Sequence, residues 1–193
     1  MRTFIVFSER GRTKGDFRDL MKAGRLDILC HDVIAAFFLS NAMRSDVSLH
    51  LVLNGPPDPP KHIEFVSNEE MPISKKDIGN LLRAVLWKYK PRRRIEAFPG
   101  ISIEKKYFED VLAENKGFYL LESAGKHISQ VELGPNPVFV LGDHMGLPRN
   151  ERKAARKLAE ERISIGPMPY FSSQCIVVVN NHLDNLYDER SIL

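Results

Sequence analysis

With 193 residues, 43% of them apolar, and a formal charge of only +3, the chain can fill one α/β core and is short for two domains. So small a mean charge does not mark a nucleic-acid binder. No apolar run approaches the roughly 20 residues of a membrane span, and no charged-then-apolar signal segment opens the chain. Cys30 and Cys175 stand far apart without C-x-x-C spacing, which argues against a zinc knuckle or a disulfide scaffold and fits a reducing, cytoplasmic setting.

In chain order, Thr3–Phe7 reads as a buried strand. The polar, basic loop Ser8–Asp16 follows, and its Gly11 and Gly15 complete neither a phosphate-binding loop nor a dinucleotide fingerprint. Apolar residues at Ile28, Leu29, Val33, Ala36 and Phe37 recur at helical spacing, predicting a helix over Asp27–Met43. Val47–Leu53 is a strand that ends at Asn54-Gly55. The proline-flanked Asp58 comes next, its backbone stiffened on both sides; a carboxylate held this way is a candidate catalytic acid or base, and equally an ordinary turn residue. His62–Val66 is a further short strand, and Ser74 is a plausible N-cap for a helix running to about Lys88.

Between Arg83 and Arg94 lie six basic residues and no acidic one, with Trp87 and Tyr89 among them. Cations neutralise phosphates and aromatic rings stack on unpaired bases, so this stretch is a candidate RNA contact. The alternative is a solvated helix face with Trp87 in the core. Phe98–Ser102 reads as an irregular connection, Ile103–Asn115 as a helix and Gly117–Ser123 as a strand.

The stretch from Val138 to Cys175 organises the rest. An apolar strand, Pro137–Leu141, stops at a small-residue loop, Gly142–Pro148. A charged, alanine-rich helix, Arg149–Arg162, leads to a second strand, Arg162–Ile165, which Gly166-Pro167-Met168-Pro169 cuts off. This is a βαβ unit whose strands should lie parallel. Both loops leave the carboxyl ends of strands, the edge where open α/β sheets bind ligands. Ser172–Leu186 has one apolar helical face, with a strand over Cys175–Val179 as the alternative. Ser172 or Ser173 with His182 and Asp184 supplies triad residue types without an elbow motif. Asp143, His144 and His182 lack metal-ligand spacing. Cys175 has no basic neighbour in sequence, which suits a pocket wall better than a nucleophile.

Phe139–His144 together with Ser164–Asp184 resembles the C-terminal signature of the SPOUT methyltransferases, and Arg2–Ser8 and Leu53–Asp58 extend the likeness to the TrmY family of archaeal tRNA pseudouridine N1-methyltransferases. The resemblance implies an α/β fold, one SPOUT domain over 1–193, with a mostly parallel sheet, helices on both faces and a C-terminal trefoil knot. It also implies a homodimer that uses S-adenosylmethionine and no metal. Leu121, Gly142, Ser164, Ile165, Gly166, Pro167, Met168, Pro169 and Cys175 would then line the cofactor site. Asp58 would assist methylation of N1 of pseudouridine in the T-arm of tRNA, at position 54, and Arg92, Arg93 and Arg94 would contact RNA phosphates. The alternatives are a pseudouridine N1-methyltransferase of ribosomal RNA, a non-catalytic SPOUT-like RNA-binding protein and a serine hydrolase.

Overall fold

The computed structural model of the protein describes residues 1–190, with side chains as far as Leu186, so that residues 191–193 of the expected domain lie outside the described residues. Eight strands form one sheet: β1 (Arg2–Ser8), β2 (Val47–Leu53), β3 (Lys61–Val66), β4 (Ile95–Phe98), β5 (Ile101–Glu104), β6 (Tyr119–His127), β7 (Val138–Gly142) and β8 (Glu161–Ser164). Across the sheet the order is β4-β5-β3-β2-β1-β7-β6-β8. The pairings from β2 through β1, β7 and β6 to β8 are parallel. Those joining β2, β3, β5 and β4 are antiparallel. β1 and β2 are buried along their whole length, as strands covered on both faces must be, and so they read as nearly continuous apolar runs.

Alternate side chains of each strand enter different cores. Phe4, Val6, Leu49, Leu51, Phe139 and Leu141 face the helices α1 (Leu26–Phe37), α2 (Ile78–Lys88) and α5 (Ser172–Arg190). Ile5, Phe7, Val52 and Val140 face α3 (Phe108–Glu114) and α4 (Arg149–Leu158). The second core is smaller. Where it ends, β2 and β3 carry the stacked rings of His50 and His62, with Nδ1 and Nε2 2.9 Å apart and Glu104 3.2 Å from the second ring. Burial, reinforced by the neighbouring His62, pushes the His50 pKa down, while the bond to His62 draws Glu104 down to about 2.

α5 is a helix, not the alternative strand, and it packs on α1 through Ile176, Val179 and Leu183. Polar ties fix its position along the helix pair. Ser172 Oγ donates to Asp32 at 2.6 Å, Asn180 Nδ2 donates to the Ala35 carbonyl at 3.0 Å, and Arg44 grips both oxygens of Asp184. From β1, the guanidinium of Arg2 reaches Asn180 and Asp184.

Several boundaries differ from the sequence-based expectations, among them that of β6, which runs over Tyr119–His127 where the sequence predicts Gly117–Ser123. The first helix stops at Phe37 instead of Met43, because Ser40 and Asn41 turn the chain, Leu39 N–H bonds the Ala42 carbonyl, and Phe38 bridges back to Met43. α2 begins at Ile78 behind Asp77, and no side chain caps it; Ser74 contributes its carbonyl instead. The irregular connection and the first part of the expected Ile103–Asn115 helix are the β4–β5 hairpin. Pro99 and Gly100 make the turn, with Gly100 at φ +71°, and Ile101 and Ile103 alternate with Ser102 and Glu104 at strand period. α4 ends at Leu158, four residues short of Arg162, because Glu160 N–H bonds the Phe118 carbonyl and draws the chain into the sheet as β8. Here pairing with a distant strand outweighs helix propensity.

Ile176 is fully buried between α5 and the sheet. Ile176→Ala should lower stability by about 2–5 kcal/mol, the usual range for emptying such a site, read as a lower urea midpoint at unchanged slope.

Candidate functional site

The carboxyl ends of β7, β6 and β8 open on one edge of the sheet, and a cleft of about 380 Å³ lies there. Leu121, Gly142, Ser164, Ile165 and Gly166 line it, as do Met168, Pro169 and Cys175; of the nine expected residues, Pro167 is not among those lining it. The sequence did not reveal the wall formed by Glu122, Ser123 and Ala124. Leu121 and Lys126 both pair with Ile163, so the residues between them bulge out of the ladder. At Gly125 a Cβ would lie 2.5 Å from the Ile163 backbone, and this close approach is the signal that marks the bulge.

Other cleft groups are set by the loop after β7. Asp143 N–H bonds the Phe7 carbonyl at 3.0 Å, and its carboxylate accepts from Met145 N–H at 2.9 Å. A Cβ on Gly142 would stand 2.2 Å from the Gly146 carbonyl carbon and 2.4 Å from Leu147 N. The expected obstruction to a larger residue there is therefore the protein's own loop before any ligand. Two buried polar atoms near the cleft have no hydrogen-bond partner: Nδ1 of His144, which faces Asp143 Oδ1 at 3.5 Å, and Oδ2 of Asp32. Asp32 lies behind the cleft-lining Ser172, and burial pushes its carboxyl up to about 8. Burial likewise pushes the Cys175 thiol up to about 11, which keeps it a neutral wall of the cleft.

Asp58 stands farther along the same edge, beyond β1 and β2. Its backbone N–H bonds Thr13 Oγ1 at 3.0 Å, while Lys105 and Lys61 hold its carboxylate at 2.5 and 2.8 Å. The bond to Lys105, then that to Lys61, keeps this carboxyl below the usual carboxylate range. Lys61 is buried and its Nζ sits 4.1 Å from the centre of the Tyr89 ring. The loops are cross-tied by backbone bonds from Asn54 N–H to the Ser8 carbonyl, Gly55 N–H to Gly11 and Thr13 N–H to Pro56. The antiparallel strands bring Lys105 and Arg94 to this edge as well, since β5 ends and β4 begins there. Of the three arginines expected to contact phosphates, Arg94 is already paired with Glu64 and Glu104, whereas Arg92 and Arg93 are exposed.

The competing constellations do not assemble. Ser172 bonds Asp32, and Asp184 is engaged by Arg2 and Arg44, so no serine–histidine–aspartate arrangement forms. Among the described residues no group of three or more His, Cys, Asp or Glu could hold a metal ion, and no helix is long and apolar enough to cross a membrane.

Residues 1–187 match the family model of S-adenosylmethionine-dependent RNA methyltransferases. The tRNA (pseudouridine(54)-N(1))-methyltransferase of Methanopyrus kandleri is 35% identical, with 95% of this chain and 93% of the relative covered. The enzyme of the same name from Pyrococcus abyssi is 37% identical, with 96% and 98% covered. In structure the chain resembles Archaeoglobus fulgidus Nep1, a crystal structure with bound S-adenosylhomocysteine, at a TM-score of 0.65 and 14% identity over 97% of this chain and 98% of that one. This likeness shows that the two chains share a fold.

Two outcomes follow from the cleft. Gly142→Ala should displace the 143–147 loop and weaken S-adenosylhomocysteine binding at least tenfold by calorimetry, with the far-ultraviolet circular dichroism unchanged. Asp32 binds its proton more tightly folded than unfolded, where its pKa is about 3.9, so its contribution to stability falls as pH rises from about 4 to about 8. Asp32→Asn should therefore narrow the gap between the urea midpoints at pH 5 and pH 8.

Proposed function

The chain belongs to the S-adenosylmethionine-dependent RNA methyltransferase family, and from that premise we propose that it methylates N1 of pseudouridine, at position 54 in the T-loop of tRNA. The observation that carries this reading is that the cleft and the lysine-clamped Asp58 share one sheet edge, joined by the cross-tied loops after β7, β1 and β2. In this reading the protein is a single SPOUT domain over 1–193, with the knot of that fold, and works in the cytoplasm.

The cleft suits the cofactor. Its volume falls within the range of about 300–1,000 Å³ usual for small-molecule sites. Leu121, Ile165 and Cys175 give it apolar walls, and His144 Nδ1, which has no hydrogen-bond partner within the protein, is placed to meet a polar ligand atom. When bound, S-adenosylmethionine supplies a methyl group made electrophilic by its sulfonium. Leu121, Gly142, Ser164, Ile165, Gly166, Met168, Pro169 and Cys175 are the residues that would hold it, with Pro167 shaping the loop between them.

The protein's task at the other reactant is to hold N1 in line with the methyl group and to receive its proton. Pseudouridine has an N1–H; uridine has none, because its N1 forms the glycosidic bond. Asp58 is ionised at physiological pH, and each of its oxygens has a lone pair beyond those used by Lys61 and Lys105. It can accept the N1–H hydrogen bond, orient the ring and offset the positive charge that grows as nitrogen bonds carbon. Arg92 and Arg93 continue the basic edge toward the RNA backbone. A homodimer is part of the proposal, with α5 contributing the exposed Val177 to its interface.

Nucleoside analysis after incubation with S-adenosylmethionine and tRNA should reveal N1-methylpseudouridine, and none on a matched uridine substrate. Product from the uridine substrate at an equal rate would exclude the assignment. Asp58→Asn should lower turnover by roughly 10²- to 10⁴-fold, the usual span of a general-base contribution, with cofactor affinity kept. An unchanged rate would remove Asp58 from the chemistry. Alanine at Arg92 or Arg93 should reduce the salt dependence of RNA binding by about one unit of slope per lost contact. Alanine at Arg94 should also lower stability, because it leaves Glu64 and Glu104 without that cation. Light scattering should return twice the chain mass, and a monomer at concentrations above those of the assay would exclude the dimer.

A further inference from the structure

Trp87 is the only tryptophan in the chain, and it is 57% exposed on the last turn of α2. An indole is costly to leave in water, and it takes no part in either core. It is nonetheless braced. The Gly15 backbone lies so close that a Cβ there would be 2.4 Å from the Arg83 carbonyl and 2.6 Å from Trp87 Cδ1. Any other residue at 15 would push the loop off the ring.

The surroundings are cationic on one side. Lys14, half-exposed, has its Nζ 5.6 Å from the centre of the indole and 3.9 Å from Asp16 Oδ2, and Arg83 is on the preceding turn of the same helix, bonded to Asn80. Lys88 is turned away, donating to the Ala97 carbonyl and lying over the ring of Phe98. Arg12 is occupied by Asp16 at 2.6 Å. The loop that braces the indole also holds Asp58, for Thr13 bonds Pro56 through its N–H, the Gly55 carbonyl through its hydroxyl, and Asp58 N–H through the same oxygen. Only Lys14 separates Thr13 from Gly15, at most about 7 Å of chain.

We propose that Trp87 is a stacking platform for an unpaired nucleobase of the RNA substrate, held in register with Asp58 by the Thr13–Gly15 loop, with Lys14 beside it to meet the adjoining phosphate. The inference rests on the RNA reading above and adds to it a residue, a contact type and a position. A braced ring loses little freedom on binding, and base–aromatic stacking tolerates any base, so Trp87 fixes the distance between a neighbouring base and the reacting one and leaves sequence selection to other groups.

Having a single tryptophan makes the test direct. Fluorescently labelled T-arm hairpin containing pseudouridine is titrated by anisotropy to measure affinity, and the unlabelled hairpin is titrated in parallel while tryptophan emission is followed. Stacking predicts quenching that saturates with the same midpoint as the anisotropy. Trp87→Ala should weaken RNA binding on the order of 10- to 100-fold and raise KM for RNA, with S-adenosylhomocysteine affinity and circular dichroism unchanged. Trp87→Phe should recover part of the loss, whereas Trp87→Leu, apolar without a comparable π face, should not. Saturating anisotropy with no change in emission would overturn the platform and leave the RNA reading standing; no RNA binding at all would remove both. A Trp87→Ala protein with full RNA affinity and half the mass by light scattering would overturn the platform and make this face a contact between two copies of the chain.

Discussion

β1 is paired in parallel on both sides, to β2 and to β7, with both of its faces buried. A parallel neighbour needs a crossover, so the chain must return each time to the same end of the sheet before starting the next strand. The loops leaving β1, β2, β7, β6 and β8 accordingly collect on one edge. The cleft, the Thr13 ties and Asp58 follow from that arrangement. The antiparallel strands at the far side extend the edge with groups from their own ends, Lys61, Lys105 and Arg94. At about 4.8 Å between strands, the row from β7 to β4 covers about 24 Å, a length on the scale of several nucleotides.

Two carboxyls near this edge are driven in opposite directions by their surroundings. Asp58 is half-exposed and lies between two ammonium groups, so it keeps its charge. Asp32 is sealed beneath α5 with a single hydroxyl donor, and burial favours its neutral form. The contrast divides their duties: a charged group stands where a base arrives, and a carboxyl that can be neutral stands where the wall of the cleft must stay closed. Glu104, drawn down by His62 and the flanking cations, remains charged and keeps the histidine pair in place beneath the same edge.

Much of this was legible. The apolar runs of β1, β2 and β7 announce buried strands because parallel strands have no polar face, and Gly142 and Gly166 marked the loops that line the cleft. The less visible features depend on pairing across long distances. Nothing local says that Ile101–Glu104 leaves a helical pattern to join β3, or that Glu160 gives up the α4 helix for a bond to Phe118. The Glu122–Ala124 wall was hidden because a bulge is defined by the partner strand, and only Gly125 hinted at it. The ion pairs of Arg94 were hidden for a similar reason: a run of three arginines looks uniform until the acidic residues of β3 and β5 are seen to engage one of them.

The placement of β1 at the centre of the sheet also sets an order of events during synthesis. Thr3 faces Val138, and Arg2 reaches Asn180 and Asp184. At about 5–20 residues per second, a ribosome needs roughly 7 to 27 s to carry the chain from the first of these positions to its β7 partner. During that interval a strand destined to be buried along its whole length has β2 on one side and an open edge on the other, a template for pairing with another nascent chain. A protein built this way gains by delaying the release of β1 from the tunnel or a chaperone until β7 has been made, because the interval of translation leaves that edge open to misassembly.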